Sequence, residues 1–415
     1  MTLIRTTLLS AASYCVKAVA GLITNKIIAV FAGAPGLALL GNFGNFLALL
    51  QLVPTSINVG TTKYVAEHSK DSSRMLAHLS TAFLMIAWSG AAISLLLIVS
   101  SKQVASLILK DPGYAGVVAT AGMLSLFVSL NNFWIAILNG LKEIRNYVIV
   151  NITASFITLL VTALLASKWR ISGVLLAFSV SQAIVFILTF YFISKHHWAS
   201  WEILTGHFEK ACVSRFLKYS AMIAFSSLLS NVTSLILRDK IMSRLSLDSA
   251  GIWQGMLRLS DSYMSIAISS LGVYYLPRLS EIAAPDELKK EIWGGYAAIL
   301  PTMAACCLVI YSLRRTIVLL LFTDKFLPMT DLFLPQLAGD FLKMFSWLLA
   351  YIAVAKAMAR WFIFSELLFS CTYLAAGIIF VDRFGLIGVP YAYLLSYLIF
   401  SLFLIWLFKF KKRMI

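Results

Sequence analysis

Charged residues are scarce in this chain, at 13% of 415 residues, whereas soluble globular domains average about 25%. Hydrophobic residues reach 60%, and the mean hydropathy is +0.88. This composition excludes a soluble enzyme and predicts an all-α, multispanning membrane protein. At about 20 apolar residues per spanning helix, the length accommodates roughly a dozen helices and no further folded domain.

Cysteine and histidine are also few, at five residues each. The odd number of cysteines, all but Cys212 in apolar stretches, argues against both a disulfide framework and a metal site. The histidines fall in or beside polar segments, where we interpret them as solvated. The sequence therefore predicts no metal and no cofactor.

Segments for nucleotide binding or outer-face catalysis are missing as well. The chain has no Gly-x-x-x-x-Gly-Lys-Ser/Thr motif, so we do not expect it to hydrolyse ATP. A membrane glycosyltransferase or polymerase would present catalytic groups on a sizeable outer loop, whereas the predicted first outer loop, 31–36, has no charge. Such an enzyme is therefore a weaker hypothesis than a transporter.

Positive charge is in excess, with 34 Lys and Arg against 18 Asp and Glu. In a membrane protein this excess reports orientation across the bilayer rather than binding of nucleic acid. The basic residues concentrate in the segments that a cytoplasmic N-terminus places inside, so both termini are predicted to be cytoplasmic. Apolar runs of spanning length predict twelve helices, at 6–30, 37–61, 77–100, 115–139, 148–167, 173–194, 220–242, 251–276, 292–312, 332–356, 361–380 and 386–408.

Two sequence echoes suggest that the chain consists of two related halves. A basic residue followed by an acidic one comes after the second span of each half, as Lys63 to Glu67 and as Arg278 to Glu281. An even number of helices per half makes the repeats parallel. We therefore predict two six-helix lobes joined by a cytoplasmic link. The predicted divisions are the N-lobe at 1–194, the link at 195–219 and the C-lobe at 220–415.

Polar residues form two matched stripes inside the second half. Each stripe has the spacing i, i+4 and i+7, which places its members on one face of a helix. Ionisable groups at this depth are costly unless they face protein or water, so the stripes predict a polar cavity. The stripes are Gln254, Arg258 and Asp261 in span 251–276, and Gln336, Asp340 and Lys343 in span 332–356.

An alternative interpretation is that each stripe holds one neutralised ion pair. Arg258 with Asp261, and Asp340 with Lys343, have the i, i+3 spacing of pairs that merely join helices. The cavity interpretation instead makes the cations ligands for an anion. It makes Asp261 and Asp340, with Glu366 in span 361–380, candidates for coupling to a proton gradient. A passive process that uses no gradient stays open beside it.

Other ionisable residues also lie within the predicted spans. Lys17 is near the middle of the first span with no acid within one helical turn, which favours an anionic ligand or water as its partner. Arg238 is followed by Asp239 and Lys240 near the outer end of its span, where we expect an interfacial position. Glu366 has no cation within one turn on its own helix, and Lys356 or Arg360 is its candidate partner.

Uncharged amides fill out the first half. Asn42 and Asn45 are one turn apart and are our candidates for contacts with the hydroxyl groups of a sugar. Such amides also serve as hydrogen-bonding contacts between helices, and this alternative stays open. The remaining amides of this set are Gln51, Asn131, Asn132, Asn151 and Gln182.

Several ungapped blocks carry a family resemblance that spans nearly the whole chain. The sequence resembles the Wzx-type polysaccharide-lipid flippases of the MOP superfamily, including those for O-antigen and enterobacterial common antigen. The blocks include Ala11-Ala12-Ser13 with Val16-Lys17, Thr62-Lys63-Tyr64-Val65-Ala66, Gly251-Ile252-Trp253-Gln254-Gly255, Ser260-Asp261-Ser262-Tyr263, Gly339-Asp340-Phe341-Leu342-Lys343 and Ala355-Lys356-Ala357.

The resemblance implies a twelve-helix flippase of the bacterial inner membrane with two six-helix lobes of the MATE/MOP type. Such a protein is a transporter and not an enzyme. It would move an undecaprenyl-diphosphate-linked oligosaccharide from the cytoplasmic to the periplasmic leaflet by alternating access. Lys17 and Arg258 are suitable charge-assisted donors to the pyrophosphate. The polymerase and the chain-length regulator of the same pathway are candidate partners. A MATE-like exporter of cations is the alternative, although it would need a more acidic interior.

Overall fold

The computed structural model describes residues 3–68, 71–194, 203, 210–270, 275–282, 284–356 and 358–410. In these ranges the chain is helical and contains no strand, and each predicted span falls on a helix. Within the described residues, six helical stretches are long and apolar enough to cross a membrane. Two of them, Ile144–Ile193 and Ala359–Lys409, are 50 and 51 residues long, which leaves room for two crossings each. The protein is therefore an all-α, multi-pass membrane protein.

The chain divides into two compact units. Unit 1 comprises Met1–Ala32 and Leu39–Asn231, and unit 2 comprises Gly33–Ala38 and Val232–Ile415. Of the predicted link at 195–219, residues 210–219 belong to a helix, and the rest, apart from residue 203, lies outside the described residues. The lobe boundaries that we derived from the sequence therefore stay a prediction.

Unit 1 is a bundle in which one central helix, α6, packs against α3, α4 and α7. The first helix, α1, packs along α7. Fully buried apolar side chains such as Ile57, Phe133 and Ile137 fill the core between these helices. The helices that build the unit are α1 (Leu3–Phe31), α2 (Gly33–Leu50), α3 (Leu52–Glu67), α4 (Ser72–Val99), α5 (Ser101–Ile108), α6 (Ala115–Gly140) and α7 (Ile144–Ile193).

Three of the predicted spans differ in detail from the helices, and residues 271–274 of span 251–276 lie outside the described residues. Span 37–61 is interrupted at Gln51, where α2 ends and α3 begins. Pro54 lies in the first turn of α3, where its missing N–H group needs no partner. Spans 148–167 and 173–194 follow one another within α7 with only a sharp kink at Arg170, whose φ of 47° and ψ of −120° are not helical.

In unit 2, helix α13 packs against α11 and α15, and α14 packs against α15. The core of this unit contains Trp253 and Leu348, together with a group of tyrosines that includes Tyr393 and Tyr397. The helices from the end of unit 1 onward are α8 (Lys210–Arg244), α9 (Leu247–Ser270), α10 (Leu276–Glu281), α11 (Pro285–Ser312), α12 (Arg314–Leu321), α13 (Phe333–Ala355), α14 (Ala359–Phe384) and α15 (Gly388–Phe410).

Candidate functional site

Asp340 is the centre of the polar cluster in unit 2. It lies in the second turn of α13 and has no solvent exposure. On Oδ2 it accepts hydrogen bonds from the hydroxyl groups of Ser260, at 2.7 Å, and of Tyr263. On Oδ1 it accepts from the Tyr393 hydroxyl at 2.9 Å and from Nε2 of Gln336 at 3.3 Å. One carboxylate therefore joins α9, α13 and α15 through neutral donors.

These contacts decide between the two interpretations of the second stripe. In the part of the chain that the structure describes, no ion pair joins Asp340 to Lys343. The ammonium group of Lys343 instead lies over the ring of Trp347, 5.3 Å from its centroid. The paired interpretation of Asp340 and Lys343 is therefore wrong. The polar partners of Asp340 are hydroxyls and one amide.

Asp261 differs from Asp340 in its surroundings. Its side chain is exposed, one turn beyond Arg258 on α9. The charged groups near enough to interact with it are Lys343 on α13, Asp340 and Arg258. The acid of the first stripe and the cation of the second are therefore neighbours in space, which the spacing within each helix does not reveal.

Arg238 is buried, contrary to the interfacial position that we expected for it. Its side chain is only 1% exposed. Nη2 of its guanidinium donates a hydrogen bond to Oε1 of Gln254, and the guanidinium lies over the ring of Trp253, 5.3 Å from the centroid. Both partners belong to α9, so a side chain from the end of α8 reaches into the first polar stripe.

Arg258 follows Gln254 by one helical turn, on the same face of α9. Its side chain is partly buried, and its positive charge repels that of Arg238. Two like charges in a membrane-spanning unit raise its potential, which favours an anion beside them. Unit 2 thus contains a pair of cations, Arg238 and Arg258, next to the cluster of neutral donors around Asp340. We call Arg238, Gln254 and Arg258 the cationic cluster.

The predicted site residues of unit 1 have other surroundings. Lys17 is exposed on α1, and Asn45 is partly buried on α2. Asn42 is buried, and its Nδ2 donates to the carbonyl oxygen of Ile108 at 3.1 Å, which ties α2 to the end of α5. The observed contact of Asn42 therefore joins helices. The contribution of these three residues to substrate binding stays a prediction.

Glu366 is partly buried on α14. Lys356, one of the two cations that we matched to it, donates a hydrogen bond to the carbonyl oxygen of Ile282 instead. A part in proton coupling for Glu366 stays a prediction.

Sequence reasoning missed Tyr393 as a partner of Asp340. Tyr393 and Tyr397 lie one turn apart in an apolar span, and their rings touch at a centroid distance of 4.8 Å. Buried tyrosines need a partner for their hydroxyl group, so two of them on one helix face were a usable signal of a polar group on the neighbouring helix.

Comparison with protein families gives one match. The model of the family described as "Polysaccharide biosynthesis protein" matches residues 39–331. Among curated proteins, the proteins named lipid III flippase of Escherichia coli and Shigella flexneri are each 26% identical over 412 residues. These alignments cover 98% of this chain and 99% of each relative.

Among solved structures, the fold is similar to that of MATE family transporters of the MOP superfamily. An inward-facing multidrug resistance transporter aligns with a TM-score of 0.76 and 12% identity, over 97% of this chain and 96% of its own. An outward-facing one aligns with a TM-score of 0.65 and 12% identity, over 100% and 98%. At this identity the likeness shows the fold alone, and it confirms the MATE/MOP-like architecture.

Proposed function

Since the chain belongs to the polysaccharide biosynthesis protein family, we propose that it is a flippase for a lipid-linked oligosaccharide. Two relatives named lipid III flippase, matched over 98% of the chain, support this function. The substrate would be an undecaprenyl-diphosphate-linked glycan, moved from the cytoplasmic to the periplasmic leaflet of the bacterial inner membrane. The termini would both be cytoplasmic, and the pathway's polymerase and chain-length regulator are proposed partners.

The observation that carries the proposal is that two guanidinium groups, those of Arg238 and Arg258, lie close enough to repel one another in unit 2. Arg238 is held on Gln254 and Trp253, and Arg258 lies one turn away with part of its side chain accessible. A guanidinium offers several N–H donors in a plane, which suits the oxygens of a pyrophosphate. Arg258 would contact the diphosphate, and Arg238 would keep the surrounding potential positive while positioning Gln254.

Transport requires only the polar head of such a lipid to leave its aqueous side. The prenyl chain is soluble in the bilayer, whereas the diphosphate and sugars would be strongly disfavoured there. A cationic cluster within a membrane-spanning unit lowers that cost for the diphosphate. Many exposed apolar residues on the helices, such as Trp88, Leu95 and Leu164, suit contact with lipid chains.

The alternative of a MATE-like exporter of small cations rests on the fold. Its ligands would need an acidic site, but Asp340 is buried and occupied by four neutral donors, and the exposed acid of this region, Asp261, has the cations Lys343 and Arg258 beside it. The cationic cluster therefore favours the anionic lipid head over a cationic drug.

The proposal is tested in cells that lack the gene, by labelling lipid-linked glycan in the outer leaflet with a reagent that cannot cross the membrane. We expect the glycan to accumulate in the inner leaflet and a plasmid copy of the gene to restore outer labelling. A plasmid copy with Arg258→Gln should be made at normal levels and restore little labelling. Normal outer labelling in the deletion strain, with no other flippase able to replace this one, would contradict the proposal.

A further inference from the structure

A second polar cavity lies in unit 1, away from every residue of the cationic cluster in sequence. Its volume is about 330 Å³, within the lower range of ligand pockets, roughly 300 to 1,000 Å³. Helices α3, α6 and the first turn of α7 enclose it. The polar residues that line it are Thr55, Asn58, Thr62, Asn132, Asn139 and Tyr147.

The cavity follows from the way α3 and α6 cross. A Cβ atom on Gly140 would come within 2.8 Å of the carbonyl oxygen of Thr62, so the two backbones touch at that point. The Thr62 hydroxyl lies 3.1 Å from the carbonyl oxygen of Ala136 and 3.2 Å from that of Asn58. From this tight crossing the helices diverge, and the polar residues of both line the gap.

The spacing of these residues places them on facing stripes. On α3, Asn58 and Thr62 are one turn apart, and on α6, Asn132 and Asn139 are two turns apart. Asn132 and Asn139 are exposed, so their amides are accessible without any change in the core. Amides that serve only to join helices would be expected to be buried in the contact, as Asn42 is.

The chemistry of the cavity is neutral, with donors and acceptors together. None of the described residues that line it carries a charge. Asn58 is 8% exposed, and its Oδ1 accepts no hydrogen bond from the described residues. This acceptor is buried as well as unsatisfied, so a ligand that brings O–H or N–H groups would pair with it only after the Asn58 side chain turns toward the cavity. A phosphate brings only acceptors at neutral pH and does not satisfy Asn58.

We propose that this cavity binds a sugar ring of the lipid-linked oligosaccharide, as a subsite separate from the cationic cluster. A sugar ring supplies several hydroxyl donors and acceptors on a compact neutral body. The amides of Asn58, Asn132 and Asn139 are suited to read those groups. The cavity lies at the ends of α3 and α6 that the charge distribution assigns to the cytoplasm, where the glycan is loaded. The inference rests on the proposed flippase function.

The test uses the full-length protein in nanodiscs and two probes that share one carrier. One probe is undecaprenyl diphosphate, and the other is undecaprenyl diphosphate carrying an oligosaccharide of N-acetylated hexoses. We expect the wild type to bind the glycan-bearing lipid more tightly than the bare carrier. The double variant Asn132→Leu/Asn139→Leu should lose about tenfold in affinity for the glycan-bearing lipid, as expected for one to two lost hydrogen bonds. Its affinity for the bare carrier should not change.

A matched control is Asn231→Leu on α8. Nδ2 of Asn231 donates to the carbonyl oxygen and to the hydroxyl oxygen of Ser227 in its own helix, and the residue does not line the cavity. This variant should bind both probes as the wild type does. Because Asn132 and Asn139 are exposed, their substitution should leave the elution profile and melting temperature of the protein unchanged.

Other outcomes separate the two proposals. Equal losses for both probes, or no loss for either, in the folded double variant would overturn the sugar subsite and leave the flippase function standing. If the wild type binds neither probe, the flippase function fails, and the subsite fails with it. Arg258→Gln should differ from the double variant, because we expect it to weaken the binding of both probes.

Discussion

Ser260 and Asp340 are 80 residues apart in the sequence, yet the Ser260 hydroxyl donates a 2.7 Å hydrogen bond to Oδ2 of Asp340 in the interior of unit 2. Tyr393, on a third helix, donates to the other oxygen at 2.9 Å. Three helices, α9, α13 and α15, therefore meet at one carboxylate. Removal of that carboxylate would leave several donors buried without an acceptor.

Asp340→Leu should destabilise the protein strongly. Each buried donor left without an acceptor costs about 1 to 3 kcal/mol, and four donors converge on Asp340. Asp340→Asn keeps one acceptor oxygen and should lower the melting temperature less. Asp331→Asn, at an exposed position, is the control and should melt as the wild type does. Fluorescence-detected size-exclusion chromatography after heating measures the order, and equal melting of Asp340→Leu and the wild type would contradict it.

Gly339→Ala should disturb the same cluster from the backbone side. A Cβ atom at Gly339 would lie 2.4 Å from Cδ1 of Tyr393, so the ring must move away from Asp340. Overpacking of this kind costs about 1 to 3 kcal/mol. Gly294→Ala on α11 is the matched control, since nothing lies within 4 Å of its Cβ position. It should be neutral or stabilise by up to about 1 kcal/mol through helix propensity. A lower melting temperature in both variants would argue against the ring contact.

Arg238→Lys should impair transport although the charge is kept. Lysine cannot reproduce a planar group that stacks on Trp253 while donating to Gln254. Loss of a hydrogen bond of a charged group corresponds to about tenfold or more in rate. Arg244→Lys is the control, because Arg244 is exposed and meets Asp382 at the surface. Initial flipping rates in proteoliposomes measure both, and equal rates would remove Arg238 from the site.

Lys17→Ala should abolish flipping without loss of protein. Lys17 is exposed on α1, so its removal leaves no cavity in the core, and its charge is available to an anionic head group. Lys102→Ala, at an exposed position of α5, should flip normally. Full activity of the Lys17 variant at normal expression would rule out contact with the substrate.

Asp261, rather than Asp340, should carry any coupling to protons. The oxygens of Asp340 are occupied by four donors, whereas Asp261 is exposed and interacts with Lys343. A diphosphate that draws Lys343 away would free Asp261 to accept a proton. We expect an imposed proton gradient to raise the initial flipping rate of the wild type, and we expect Asp261→Asn to remove that increase. An unchanged rate and final distribution in the wild type would indicate passive flipping.

The sequence was sufficient to place the helices and the spacing of the polar stripes along them. Apolar runs are a local property, and the spacing of Gln336 and Asp340 already placed both on one face of α13. The partners of each stripe were not predictable in this way. Arg238 stands beside two further charged residues, which resembles an interface, and only its contacts with Trp253 and Gln254 on another helix bury it.

The partners of Asp340 could not be predicted for the same reason, and neither could the lack of an ion pair between Asp340 and Lys343. Their spacing on one helix is compatible with an ion pair, but a side chain can also bond to groups on neighbouring helices. Hydroxyls from two other helices, including Tyr393, reach the carboxylate, while Trp347 takes the ammonium. Sequence spacing describes one helix at a time. It is compatible with Lys343 over Trp347, which lie on the same helix, whereas the contacts of Asp340 depend on how three helices pack.

The kink at Arg170 has a consequence for how the chain enters the membrane during synthesis. At 1.5 Å per residue, the parts of α7 before and after it are about 39 and 35 Å long, and each exceeds the roughly 30 Å hydrocarbon core. A Cβ atom on Gly173 would lie 1.9 Å from the carbonyl oxygen of Leu165, so the two parts are pressed together at the turn. With almost no connecting segment, they would leave the translocon as one helical hairpin. Loss of either arm would invert the orientation of every later helix.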